Sequence, residues 1–75
     1  MKSIPVPLQW RELFTPKELE VVEWMLRGVD NLSIAEQLHL SINTVKTHQK
    51  NIYAKLLVPN RAKLILAAQE LLARQ

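Results

Sequence analysis

Apolar residues return at helical intervals along most of the chain, and nowhere in the alternation of a half-buried strand. In "FTPKELEVVEWMLRG", Val21, Val22, Met25 and Leu26 make one apolar stripe. Thr15 stands where an N-cap belongs, Pro16 at the first helical position and Glu18 three residues after the cap. Together they form the signature of a capping box, in which threonine and glutamate each satisfy the other's backbone amide. Phe14 is placed to staple onto Leu19 across the helix start. Gly28 permits the left-handed turn that stops a helix. The pattern predicts a first helix over about 16–27. Asp30 caps a short second helix in "NLSIAEQLHL", with Ile34, Ala35 and Leu38 on one face. Ser41 caps a third, predicted over about 42–57 and stopped by Pro59. Asn60 caps a fourth, over about 61–73. The expected architecture is all-α, four helices with tight connections.

The third helix has two unlike sides. At 100° per residue, Val45, Ile52 and Leu56 share one side, with Ile42 and Tyr53 at its edge. Asn43, Lys46, Thr47, Lys50 and Ala54 share the other, and no acid occurs anywhere in "SINTVKTHQKNIYAKL". A helix facing only water gains from mixed charges at i,i+4. A helix lying against a polyanion avoids acids and keeps its side chains small, and a DNA major groove is wide enough to admit it. The short helix, tight turn and longer helix read as a helix-turn-helix. Ala35 is small where the two helices cross, Val45 turns back on the first, and His39 holds a turn position often given to glycine.

Length and charge narrow this further. Seventy-five residues make one small domain with a thin core. Residues 1–13, with two prolines near Met1, read as an extended N-terminal lead-in or linker end, and 14–75 as the helix-turn-helix domain. The net charge is only +3, but residues 1–36 hold six acids and four bases, whereas 37–69 hold five bases and no acid. That asymmetry points to nucleic acid first and anionic lipid second, with a plain solvated face as the alternative. There is no cysteine, no apolar run able to span a bilayer and no export signal, which is the profile of a cytoplasmic protein. Nothing suggests an enzyme: there is no nucleophile–base pair and no glycine-rich phosphate loop. His39 and His48 lack further ligands at metal spacing, so neither metal nor cofactor is expected.

"FTPKELEV", Gly28 and "NLSIAEQLHLSINTVKTHQKNIYAKLLVPNR" resemble the DNA-binding domain of the LuxR/FixJ (GerE-like) family of bacterial transcription regulators. The likeness covers about residues 14–66 without a gap. It includes Thr15, Glu18, Val21, Gly28, Asn31, Ile34, Ala35, Thr44, Val45, Lys46, His48, Asn51, Ile52, Lys55, Asn60 and Arg61. Departures are mild at Phe14, Lys17, Asp30 and Leu40. Leu32 and Ser33 replace a Lys-Glu pair, which removes one positive charge near the start of the second helix.

The resemblance implies sequence-specific DNA binding by a homodimer that regulates transcription, with the third helix in the major groove. Its base-reading positions fall on Lys46, Thr47 and Lys50. Lysine can donate to guanine and a threonine methyl can touch a thymine methyl, although both lysines can also meet phosphate alone. Phosphate contacts fall on Asn31, Ser33, Thr44, His48 and Lys55. A structural alternative stands beside several of these: a helix-start bond for Thr44, a hydrogen bond within the fold for His48, a core-covering stem for Lys55. Asn51 is expected to bond to the chain, and Trp10 and Trp24 to pack. In the fourth helix Leu64, Ala68 and Leu71 make a core stripe, leaving Ala62, Leu66 and Ala73 for the family's dimer contact. The alternative for Leu66 is packing under the lead-in. Double-stranded DNA and a second copy are thus the implied partners, with RNA polymerase a further one. A competing reading is a protein–protein module that binds an acidic partner such as polymerase or an antagonist.

Overall fold

Four helix starts are built from side chains three residues away, and these fix where each element begins. The computed structural model describes residues 4–74. A 3-10 turn, Leu8–Trp10, precedes α1 (Pro16–Leu26), α2 (Asn31–Leu38), α3 (Ile42–Leu56) and α4 (Arg61–Ala73). At α1 the Glu18 amide donates to Thr15 Oγ1 at 3.2 Å and the Thr15 amide to Glu18 Oε1 at 2.9 Å, completing the capping box. Asp30, Ser41 and Asn60 each accept from the amide three residues on, at 2.8, 3.1 and 3.0 Å. Each cap satisfies an amide that the helix itself leaves orphaned.

Three helices also end alike. Gly28, His39 and Leu57 have φ of 81°, 57° and 57°. In each case the next amide reaches back five residues: Val29 to Trp24, Leu40 to Ala35 and Val58 to Tyr53. This is the Schellman closure, in which a left-handed residue lets the chain satisfy its last free carbonyls. The device ends α1 and α3 one residue short of the sequence-based expectation. The left-handed geometry at His39 gives the tight angle between α2 and α3 that glycine more often provides.

Buried apolar residues come from every helix: Val21, Val22, Met25 and Leu26 of α1, Ile34 and Ala35 of α2, Val45 and Ile52 of α3, Leu64 and Ala68 of α4. α3 is the central strut, packed on α1, α2 and α4. The lead-in is more than a linker. Val6, Pro7 and Trp10 are buried, the Ile4 amide donates to Leu26 O at 3.2 Å, and Trp10 meets Phe14 edge-on at 6.2 Å. Two prolines had suggested extended chain, yet the apolar residues beside them cover the outside of a thin core. The expectation for Met1–Ser3 lies outside the described residues.

Candidate nucleic-acid interface

α3 turns Val45, Gln49 and Ile52 into the core. The opposite face carries Asn43, Lys46, Thr47, Lys50 and Ala54, all exposed. Neither Lys46 nor Lys50 has an anionic partner among the described residues, whereas Lys17 pairs with Glu20 and Lys55 with Glu18. Thr47 Oγ1 donates to Asn43 O at 3.0 Å. Its hydroxyl proton is therefore held by the helix, and its methyl is the free branch.

The residues proposed for phosphate divide into two groups. Thr44 and Ser41 share a hydroxyl–hydroxyl bond of 2.9 Å at the start of α3. One of their two O–H groups serves that bond, and the other remains able to donate outward. The Thr44 amide is capped by Ser41, so the helix-start role also exists. His48 is half-buried and makes no side-chain hydrogen bond among the described residues, contrary to the structural bond considered for it.

Asn31, Ser33 and Lys55 are engaged within the domain. Asn31 Oδ1 accepts from Gln49 Nε2 at 2.7 Å and from Arg61 Nη2 at 2.9 Å. Arg61 Nη1 also donates to Val29 O. A single amide oxygen thus joins α2, α3 and α4, and only the Asn31 amide nitrogen is left for a phosphate. The Ser33 amide caps onto Asp30, and that bond, then the Ser33 hydroxyl, holds the Asp30 carboxyl below its ordinary value against a small opposing effect of burial. The α2 N-terminus, attractive to phosphate in principle, carries its own carboxylate instead. Lys55 Nζ lies 2.7 Å from Glu18 Oε1 and 5.8 Å from the Phe14 ring. It ties the end of α3 to the capping box of α1.

Burial pushes the Glu18 carboxyl up. The bond from Lys55, the Thr15 amide and the Lys55 charge outweigh that and hold it below its ordinary value. Burial raises the Tyr53 hydroxyl above its ordinary value, with nearby Arg61 acting the other way.

One polar residue escaped the sequence reading and another departs from it. Gln49 is buried at 5% exposure, and its signal was present: it stands four residues after Val45 and three before Ile52, on the apolar side of α3. A polar residue there needs a buried partner. Asn51 goes the opposite way, being exposed with no side-chain bond among the described residues. Gln49, two residues earlier, makes the bond to the chain that had been expected of Asn51. In α4, Leu64 and Ala68 are buried and Leu71 half-buried, while Ala62, Leu66 and Ala73 are exposed on one stripe. Leu66 is 45% exposed. Among the described residues no group of three or more His, Cys, Asp or Glu could hold a metal ion, and no helix is long and apolar enough to cross a membrane.

Residues 12–68 match the model of the family described as bacterial regulatory proteins, luxR family. A monoamine regulon transcriptional regulator of Klebsiella aerogenes is 47% identical over 53 residues, covering 71% of this chain and 23% of that protein. Response regulator protein VraR of Staphylococcus aureus is 39% identical over 57 residues, covering 76% of this chain and 27% of that protein. The chain thus spans about a quarter of the length of the curated relatives it matches. No solved structure matches it.

Proposed function

The chain belongs to the luxR family of bacterial regulatory proteins, and on that premise we propose that it regulates transcription in the bacterial cytoplasm by binding double-stranded DNA as a homodimer. α3 enters the major groove. Lys46 and Lys50 donate to base edges, and Thr47 presents its methyl to a thymine. Thr44, with Ser41, and His48 meet the phosphates beside it, and the Asn31 amide nitrogen is the donor left on α2. Ser33 and Lys55 are lesser candidates, because their donors already serve Asp30 and Glu18. Ala62, Leu66 and Ala73 form the seam between two copies. The observation that carries this reading is the exposed α3 face, on which two lysines stand without an acid to neutralise them among the described residues. Neither metal nor cofactor is needed for such binding.

One assay tests groove and seam together. Duplexes selected from a randomised pool by the wild-type chain are compared with unrelated duplexes at one fixed salt concentration, since the phosphate contribution varies steeply with salt. Lys50→Ala should cost about 1–3 kcal/mol on the selected site and less on unrelated DNA. Equal weakening on both would mean that Lys50 meets phosphate only. Leu66→Glu should keep half-site affinity but lose the added affinity for an inverted repeat whose half-sites lie about one helical turn apart. A two-fold seam repeats the substitution in both copies. Retained cooperativity in a folded Leu66→Glu chain would remove Leu66 from the seam. The competing reading, an acidic protein partner such as polymerase or an antagonist, draws on the same basic face. It predicts that selected DNA fails to displace that partner.

A further inference from the structure

Thr44, His48, Asn51 and Lys55 recur on α3 at i, i+4, i+7 and i+11, which on a helix is one straight stripe. It flanks the face of Lys46, Thr47 and Lys50. Its two ends differ. Thr44 is exposed with a hydroxyl pair able to donate outward, whereas Lys55 turns its ammonium onto Glu18 at 2.7 Å. Between His48 and the diverted lysine lies Asn51, exposed and without a side-chain partner among the described residues. An amide in that position offers two N–H donors to whatever lies along the stripe.

We infer that Asn51 is a further DNA-contacting residue, which donates from its side-chain amide to a backbone phosphate along the C-terminal half of α3. The inference rests on the reading that α3 occupies the major groove. The stripe is turned away from the floor of the groove, toward one sugar–phosphate wall, so its residues position the helix and do not read sequence. Lys55 is held by Glu18, and Asn51 supplies the donor that the stripe would otherwise lack there. Lys50 is the adjacent residue and Lys55 one turn on, so no acid on α3 competes for the amide.

The test measures wild-type, Asn51→Ala, Asn51→Lys and Lys50→Ala chains on a duplex selected by the wild type and on an unrelated duplex of equal length. Salt is varied, and melting is followed for each protein. Asn51→Ala should weaken binding to both duplexes by the same factor, roughly tenfold for a hydrogen bond to a charged acceptor. Its melting temperature should match the wild type, because the side chain has no partner to lose among the described residues. Asn51→Lys should bind both duplexes more tightly at low salt and steepen the dependence of log affinity on log salt by about 0.9. An Asn51→Ala loss confined to one base pair of the selected site would overturn the phosphate assignment. Unchanged affinity in both Asn51 variants, with Lys50→Ala impaired, would overturn the contact but leave α3 in the groove. No effect of any of the three substitutions would remove α3 from the groove, and the inference would fall with it.

Discussion

Replacing Asn31 by alanine removes the acceptor on which three helices converge. Gln49 Nε2 and Arg61 Nη2 then lose a partner together. The two losses differ in size because the donors differ in access to water. Gln49 is 5% exposed, so its amide cannot turn outward, and a buried unsatisfied donor costs about 1–3 kcal/mol. Arg61 is half-buried and keeps its bond to Val29 O, so its share is closer to the net value of one hydrogen bond, about 1 kcal/mol. The sum is about 2–4 kcal/mol, against a total of about 4–11 kcal/mol for a domain of this length. In a melt this is a fall of roughly 10–30 °C. Urea unfolding at neutral pH should show a lower midpoint with an unchanged slope, since neither chain's buried area changes much. A double-mutant cycle isolates the cause. Gln49→Leu removes the stranded donor, so Asn31→Ala should cost less in the Gln49→Leu background than in the wild type, by at least about 1 kcal/mol. Additive effects would refute the argument: the Asn31–Gln49 bond would then contribute nothing, and any loss in Asn31→Ala would have to come from Arg61 alone. DNA affinity measured well below both melting temperatures separates this role from a phosphate contact by the Asn31 amide nitrogen. Only the latter predicts weaker binding by the folded protein.

Two further outcomes follow from local geometry. The Glu18 carboxyl is depressed in the folded state, so its stabilisation is present above the unfolded value and is lost as pH falls through the lower folded value. Glu18→Gln should therefore lower stability at neutral pH and flatten its decline on the acid side; an acid limb identical to wild type in urea titrations would show that Glu18 is not coupled to folding. Leu57 is 92% exposed at φ 57°, so Leu57→Gly loses no packing and relieves a left-handed strain of about 1–2 kcal/mol. Glycine's freedom in the unfolded chain returns about 0.5–1 kcal/mol of that. The melting temperature should rise by a few degrees, while Leu57→Ala, which keeps its Cβ, should show no such gain; a drop on Leu57→Gly would count against strain at this helix end.

What the sequence determined by itself is what depends on neighbours a few residues apart. Thr15 with Glu18, Asp30, Ser41 and Asn60 each act across three residues, so four helix starts could be read directly. The same holds for the left-handed turn at Gly28, and for the apolar stripes and the acid-free face of α3, because helical periodicity alone assigns residues to faces. The tertiary structure decided which polar side chains on those faces remain free. Lys55 and Glu18 stand 37 positions apart, and Arg61 and Asn31 stand 30 apart. No spacing rule links such pairs, since they meet only after α1, α2 and α4 have packed on α3. For that reason Asn31 and Lys55, which resemble outward donors in sequence, are committed inside the domain, and Asn51, which resembled a structural amide, is left outside. The lead-in followed the same logic: its prolines spoke for extended chain, but burial of Val6, Pro7 and Trp10 depended on an uncovered core surface that exists only in the folded domain. Local hydrogen bonds and periodicity are encoded within a turn or two of chain, whereas the satisfaction of buried polar groups is a property of the whole packed domain.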